Sequence, residues 1–271
     1  EMCIRDRSGS PGQLAQPGFL CVRIYLVITT KRTAPELTES SDETVSKALK
    51  PKSAGIWYRI ITGALRPIMM ASTKRDWRGG EKLHFSGGVV VAMNHLSWFD
   101  PFAAGHFCHD NGRQVRFLAK AEIFKIPGLG SVLKSAGQIP VKRRDSEAAA
   151  GSLLLAMEAV RKGECIVIYP EGTLTRDPNL WPMSAKTGAA RIALTTGVPV
   201  IPAAQWGPQE VLQPYGKAFK LFPRKTMHVW AGDPVNLDDL RGQPITAATL
   251  REATDRIMRE VTLLLAQQRG E

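Results

Sequence analysis

The chain has 271 residues, of which 44% are hydrophobic and 23% are charged, and this ordinary globular composition excludes a wholly disordered chain or a collagen-like fibre. Lysine and arginine total 36 against 25 aspartate and glutamate residues, which gives a formal net charge of +11. The excess predicts an anionic partner, either a nucleic acid, a membrane surface or a phosphorylated small molecule. The four cysteines show no C-x-x-C spacing, which argues against a structural zinc site or a disulfide framework.

The first 54 residues differ in character from the rest. Residues 1–32 begin without Met, and we predict that they are a non-native or disordered leader. Their most apolar stretch, residues 18–30, contains Arg23 and falls short of the ~18–20 apolar residues that a membrane-spanning helix needs. Residues 33–54 are rich in Ser, Thr, Glu and Lys, which predicts a solvated linker.

Residues 55–71 are predicted to form an amphipathic helix. Apolar residues recur along one helical face, from Ile56 to Ile68, with Arg59 and Arg66 beside them. We expect Pro67 to kink or end this helix. Two interpretations stay open, a helix packed on its own domain and a helix that lies in a membrane interface.

Strand-like and helix-like segments alternate over residues 72–271, which we treat as one domain. The predicted strands are Val89–Met93, Val115–Ala119, Gln138–Val141, Cys165–Tyr169, Val198–Ala203 and Thr226–Ala231. The predicted helices are Pro101–His109, Ser146–Arg161, Ala185–Thr196 and Thr246–Gln267. This alternation predicts an α/β fold, a largely parallel mixed sheet flanked by helices.

The segment NHLSWFDP, residues 94–101, directly follows a predicted buried strand. Asp100 before Pro101 is typical of a helix N-cap, but the second carboxylate oxygen can accept a hydrogen bond from the imidazole of His95. The other ring nitrogen would then face a cleft as a general base, and the substrate would supply the hydroxyl. Ser97 is the alternative nucleophile, although the chain has no G-x-S-x-G motif.

A metal site is not expected at His106, Cys108 and His109, because residues at i, i+2 and i+3 of a helix do not converge on a tetrahedral centre. The chain also lacks the G-x-G-x-x-G and G-x-x-x-x-G-K-[ST] motifs of nucleotide-binding proteins.

Residues 113–144 carry eight basic residues against one acidic residue, Glu122. Lys142 and Arg143 follow a predicted strand, where a guanidinium can bind phosphate through two hydrogen bonds. The alternative interpretation is a solvated basic face. Nucleic acid is not expected as a partner, because Phe117 and Phe124 supply too few aromatic rings for it.

The segment YPEGTLTRD, residues 169–177, follows another predicted buried strand. Gly172 permits a tight turn whose amides, with Thr173 and Thr175, can bind an oxyanion or a phosphate. Glu171 is then placed to bind a substrate hydroxyl or a basic partner. A fourth segment, residues 198–204, has proline near both ends and predicts a wall of the site.

Together and in this order, these segments resemble the glycerolipid acyltransferase family, most closely its bacterial 1-acyl-sn-glycerol-3-phosphate acyltransferases. The family's N-H-x4-D motif matches Asn94, His95 and Asp100. Residues matching the other three motifs are Lys120, Glu122, Pro127, Gly130, Gly137 and Arg143, then Pro170, Glu171, Gly172 and Thr173, then Val198, Pro199, Val200 and Pro202. The chain departs from the family at Leu174, where Arg is usual, and Arg176 follows two residues later.

The resemblance implies an O-acyltransferase that forms phosphatidate by acylating the sn-2 hydroxyl of 1-acylglycerol 3-phosphate. It implies His95 as the general base, Asp100 as its orienting partner, and no cofactor besides acyl-CoA or acyl-carrier protein as co-substrate. The implied substrate-binding residues are Asn94, Lys142, Arg143, Glu171, Gly172, Thr173 and Arg176. A peripheral position on the anionic cytoplasmic face of the cell membrane is also expected.

Three alternatives remain open on the sequence alone. The acceptor can be glycerol 3-phosphate or another lysolipid, and the departure at Leu174 keeps that alternative open. A serine thioesterase or hydrolase acting through Ser97 and a non-catalytic basic lipid-binding module are the other two.

Overall fold

A computed structural model describes residues 56–142 and 146–271, so the predicted leader and linker lie outside the described residues. The strands are β1 Thr73–Arg78, β2 Val89–Met93, β3 Val115–Lys120, β4 Ile139–Val141, β5 Cys165–Ile168, β6 Val200–Trp206 and β7 Lys225–Ala231. The α-helices are α1 Ile56–Ser72, α2 Asp100–Asp110, α3 Leu129–Ser135, α4 Ser146–Arg161, α5 Gly188–Thr196, α6 Pro208–Val211 and α7 Ala247–Arg269.

These strands form one sheet in the order β1-β7-β6-β2-β5-β3-β4. Neighbouring strands run parallel, except for the antiparallel pair β6 and β7. Helices cover both faces of the sheet, and the prediction of an α/β fold with a largely parallel mixed sheet is confirmed.

The core is divided by the alternation of side chains along the central strands. In β2, Val90 and Ala92 pack against α4, α5 and α7, whereas Val89, Val91 and Met93 pack with α1 and α2 on the other face. All five residues of β2 are fully buried. This is why β2 reads as a continuous apolar run, as expected for a strand covered on both sides.

Three of the strands and α-helices were not predicted: β1, α3 and the four-residue helix α6. β1, with the sequence TKRDWR, is an edge strand of mostly charged residues, so it has no apolar run, and its parallel pairing with β7 fixes it. α3 is only seven residues long and follows Pro127 and Gly128, which favour a turn. Pro67 does not end α1, which continues to Ser72.

The topology brings two loops together at one edge of the sheet. β2 and β5 are adjacent and parallel, with Ala92 paired with Ile168. The residues that follow both strands therefore emerge side by side at their carboxyl ends, where ligands bind in open α/β sheets. These residues are the NHLSWFDP segment after β2 and the YPEGTLTRD segment after β5.

Gly88 and Gly87, just before β2, provide a matched test of this packing. A Cβ on Gly88 would lie 1.9 Å from the carbonyl oxygen of Val160 in α4, whereas a Cβ on Gly87 would meet nothing within 4 Å. Because overpacking costs ~1–3 kcal/mol, we expect Gly88→Ala to lower the Tm by roughly 3–10 °C. Gly87→Ala is the control and should leave the Tm nearly unchanged in a calorimetric melt. Equal melting temperatures for the two variants would contradict this packing.

Candidate active site

The loop after β2 brings His95 and Asp100 into direct contact. Nδ1 of His95 lies 2.8 Å from Oδ2 of Asp100. The Asp100 side chain is fully buried, and 7% of the His95 side chain is exposed. With Nδ1 donating to the carboxylate, Nε2 keeps its lone pair and is free to accept a proton.

The Asp100 carboxylate accepts hydrogen bonds from the backbone of the loop before it and does not serve as a helix N-cap. The prediction that it is the N-cap residue is wrong, because α2 begins at Asp100 and Phe99 occupies the N-cap position. The backbone N–H groups of Leu96 and Ser97 donate to Asp100 Oδ2, at 2.5 Å and 2.8 Å. Burial raises the pKa of Asp100, and the hydrogen bond from His95 opposes that rise. The loop therefore folds around the carboxylate that orients the imidazole.

The backbone of His95 is held by the loop after β5. Its N–H donates to Glu171 Oε1 at 3.0 Å, and its carbonyl oxygen accepts from the Thr175 N–H at 2.8 Å. Glu171 Oε2 accepts from the Met183 N–H at 2.9 Å, and the residue is only 4% exposed. Burial raises the pKa of Glu171, and the two backbone hydrogen bonds oppose the rise. Both carboxylate oxygens of Glu171 are thus engaged with backbone amides.

Aromatic rings fix the orientation of the His95 ring. Tyr169 stacks on it, with ring centroids 4.1 Å apart and planes 14° apart, and Trp98 meets it edge-on at 6.1 Å. An aromatic face stabilises a cation placed over it, so this stack favours the imidazolium that forms when Nε2 takes a proton. This role of Tyr169 was not predicted, because the residue ends a predicted buried strand in the sequence.

A cavity of about 1420 Å³ opens beside His95. Its lining is largely apolar and comes from α1, α2, β3, α3 and α4, including Leu65, Met69, Phe102, Leu133 and Met157. The volume exceeds the ~300–1,000 Å³ of an ordinary small-molecule site. The imidazole therefore lies at the wall of a space large enough for a long hydrocarbon chain.

Of three residues predicted to bind substrate, two are not among those that line the cavity, and the third is outside the described residues. Asn94 is fully buried, and its side-chain amide exchanges two hydrogen bonds with the backbone of Gln205, at 3.1 Å and 2.8 Å, which joins the ends of β2 and β6. Lys142 is exposed after β4 and does not line the cavity. Arg143 lies outside the described residues.

The turn after β5 carries the other predicted binding residues. Gly172 has φ +71°, a left-handed conformation that favours glycine, and it lines the cavity. Thr173 is half-buried and Arg176 is exposed. Leu174 is fully buried, so the position where the family usually has Arg points into the protein. Its carbonyl oxygen accepts the Tyr215 hydroxyl at 3.0 Å.

The side chains of Ser97, the alternative nucleophile, and of the His106–His109 segment, where no metal site is expected, make contacts outside the His–Asp site. Ser97 Oγ donates to the Leu212 carbonyl oxygen at 2.6 Å and accepts from the Phe99 N–H at 3.0 Å, and the residue is fully buried. His106 lies 3.4 Å from the Asp110 carboxylate, and Cys108 is buried in the core. Among the described residues, no group of three His, Cys, Asp or Glu side chains is arranged to hold a metal ion.

A buried His–Asp pair at the carboxyl edge of an α/β sheet, beside an apolar cavity, is a site suited to acyl transfer between lipid-like molecules. Residues 74–206 match the family model described as Acyltransferase, which places this segment of the chain in that family. The match begins in β1 and ends with β6, so it contains both loops of the site.

Similar proteins agree with this assignment. A Bacillus subtilis protein named 1-acyl-sn-glycerol-3-phosphate acyltransferase is 28% identical over 78% of this chain and 99% of its own length. A chloroplastic Brassica napus protein of the same name is 35% identical over 51% of this chain, but the match spans only 39% of that protein. The crystal structure of the Thermotoga maritima 1-acyl-sn-glycerophosphate acyltransferase covers 83% of this chain and 88% of its own, with a TM-score of 0.59 and 21% identity, and supports the fold.

Ser97→Ala separates the His–Asp site from a serine nucleophile. Because Ser97 Oγ bonds only to backbone groups among the described residues, its removal should lower the Tm slightly and leave acyl transfer nearly unchanged. Steady-state kinetics and labelling with a serine-directed phosphonate check this. A rate loss on the order of 10³-fold or more, or stoichiometric labelling of Ser97, would establish a serine nucleophile instead.

Proposed function

We propose that this protein transfers a fatty acyl group from a thioester, acyl-CoA or acyl-carrier protein, to the sn-2 hydroxyl of 1-acylglycerol 3-phosphate, forming phosphatidate. The observation that carries the proposal is the 2.8 Å contact between His95 and Asp100 at the wall of the apolar cavity. The proposed acceptor is supported by the names of the similar proteins, and its acylation at the sn-2 hydroxyl gives phosphatidate.

In the proposed reaction, Nε2 of His95 takes the proton of the acceptor hydroxyl as its oxygen attacks the thioester carbonyl carbon. The tetrahedral intermediate then collapses, the carbon–sulfur bond breaks, and the imidazolium returns the proton to the thiolate. Asp100 stays ionised and stabilises the transient imidazolium through Nδ1. A general base of this kind contributes roughly 10²–10⁴-fold to the rate.

The cavity is proposed to hold a fatty acyl chain. Its apolar lining excludes water from the thioester, and burying a chain contributes about 0.8 kcal/mol for each CH₂ group. α1 supplies part of this wall through Tyr58, Leu65 and Met69, so the helix contributes to the proposed site as well as to the surface. The acyl chain would therefore lie between α1 and the sheet.

The predicted binding residues take two kinds of role in this proposal. We propose that the acceptor head group is held by Gly172, Thr173 and Arg176. The turn that carries them directly follows Tyr169, whose ring stacks on His95. Glu171 is proposed as a positioning residue for the His95 backbone. Asn94 is proposed to fix the end of β2.

Peripheral binding to an anionic membrane, on its cytoplasmic face, is also part of the proposal. α1 exposes Ile56, Ile60 and Ile68 along one stripe, although its other side packs on the domain. Arg59 is exposed on the same helix, and each basic residue near anionic lipid contributes about 1 kcal/mol. None of the described helices is both long and apolar enough to cross a bilayer.

His95→Ala and Asp100→Ala test the mechanism. Each should lower kcat by about 10²–10⁴-fold, because the first removes the base and the second removes its orienting partner. Transfer of a labelled acyl group from acyl-CoA to 1-acylglycerol 3-phosphate measures the loss, and circular dichroism checks folding. Near-normal transfer by a folded variant of either kind would remove the proposed mechanism.

Removal of the exposed stripe tests membrane binding. Changing Ile56, Ile60 and Ile68 to Ser removes apolar surface that the fold does not bury, so folding should persist and sedimentation with phosphatidylglycerol vesicles should fall. A matched control changes three exposed apolar residues on other elements, Leu155, Ile245 and Leu263, to Ser. Undiminished sedimentation of the α1 variant, or an equal loss in the control, would reject α1 as the membrane contact.

A further inference from the structure

Lys186 is a cation that sequence analysis did not single out, and the structure places it against the Gly172 turn. A Cβ built on Gly172 would lie 3.4 Å from Lys186 Nζ and 3.3 Å from its Cε. The Lys186 backbone N–H donates to the Pro170 carbonyl oxygen at 2.9 Å. The main chain and the amine of Lys186 therefore both lie against the turn at residues 170–172.

That turn connects Lys186 to the proposed catalytic base. The Gly172 N–H donates to the Tyr169 carbonyl oxygen at 2.9 Å, and the Tyr169 ring stacks on His95. His95, Gly172 and Lys186 all line the same cavity. Within the described part of the chain, Lys186 forms no ion pair, so its charge is available to a ligand.

Residues 173–177, which directly follow Gly172, place no positive charge in the cavity wall. Leu174 is fully buried and uncharged. Arg176, proposed above to hold the head group, is exposed and does not line the cavity, so it can contribute charge only from outside the cavity wall. The three heavy atoms nearest to a Cβ built on Gly172 all belong to Lys186, and glycine at this position leaves room that any other side chain would take from the amine.

We propose that Lys186 Nζ binds the phosphate of the acceptor and makes the enzyme select phosphate-bearing acceptors. This inference rests on the proposed function, because it assumes that the acceptor hydroxyl lies at His95. In 1-acylglycerol 3-phosphate the phosphate is only a few covalent bonds from that hydroxyl, which matches a cation one turn away from the imidazole. A lysine ammonium is a compact charge with three donors and suits a phosphate group.

Lys186→Gln tests this assignment by removing the charge while keeping a polar side chain. We expect its KM for 1-acylglycerol 3-phosphate to rise about 10- to 100-fold, as for loss of a charge-assisted hydrogen bond, with kcat little changed. Its transfer to the phosphate-free 1-acylglycerol should equal that of the unmodified enzyme. Lys186→Arg should recover much of the lost affinity, which a merely structural role would not predict.

The control is Lys162→Gln, the same change of charge at the opposite edge of the sheet. Lys162 is exposed before β5, whereas the site follows that strand, and the only ion pair of its amine among the described residues is with the exposed Glu158. This variant should keep the KM of the unmodified enzyme. An unchanged KM in Lys186→Gln, or equal losses on both acceptors, would overturn the assignment.

Binding without the acyl donor separates this inference from the proposed function. Calorimetric titration with 1-acylglycerol 3-phosphate should show a Kd weakened by a similar factor in Lys186→Gln, and His95→Ala should bind nearly as the unmodified enzyme does. If transfer fails with every acceptor while this difference in Kd remains, the proposed function is wrong and the phosphate site stands. Equal Kd values for the unmodified enzyme and Lys186→Gln would refute the phosphate site.

Discussion

The hydrogen bond between His95 Nδ1 and Asp100 Oδ2 is the interaction on which the site depends. A fully buried carboxylate is costly unless donors surround it, and here two backbone amides and one imidazole converge on a single oxygen. The same three donors close the loop after β2 into one conformation. The arrangement that keeps the carboxylate inside the protein therefore also determines which imidazole nitrogen faces the cavity.

A second constraint is the parallel pairing of β2 with β5. It places the Glu171 loop beside the His95 loop, and three contacts then join them: Glu171 to the His95 N–H, Thr175 to the His95 carbonyl, and the Tyr169 ring on the imidazole. Each contact restrains a different part of His95. A displacement of either strand would move the imidazole relative to the turn at Gly172, which explains why close packing around β2 matters to the chemistry.

The sequence predicted the parts of the molecule whose signals are local. β2 and β5 are short apolar runs, the α4 segment is rich in Ala and Leu, which favour a helix, and His95 and Asp100 lie five residues apart in one short segment. The sequence could not predict β1, whose charged residues are fixed only by pairing with β7, or the contact of Lys186 with Gly172, which joins segments through the folded chain. Glu171 was expected to meet the substrate, yet its two backbone hydrogen bonds depend on a fold that no local pattern encodes.

The protonation state of the His95 ring tests the central claim most directly. In protein labelled with ¹⁵N-histidine, at a pH where the imidazole is neutral, long-range ¹H–¹⁵N spectra distinguish a protonated nitrogen from an unprotonated one. We expect His95 to carry its proton on Nδ1, facing Asp100, and we expect Asp100→Ala to lose that preference. A proton on Nε2 in the unmodified protein would contradict it, because the nitrogen at the cavity would then have no lone pair to accept the hydroxyl proton.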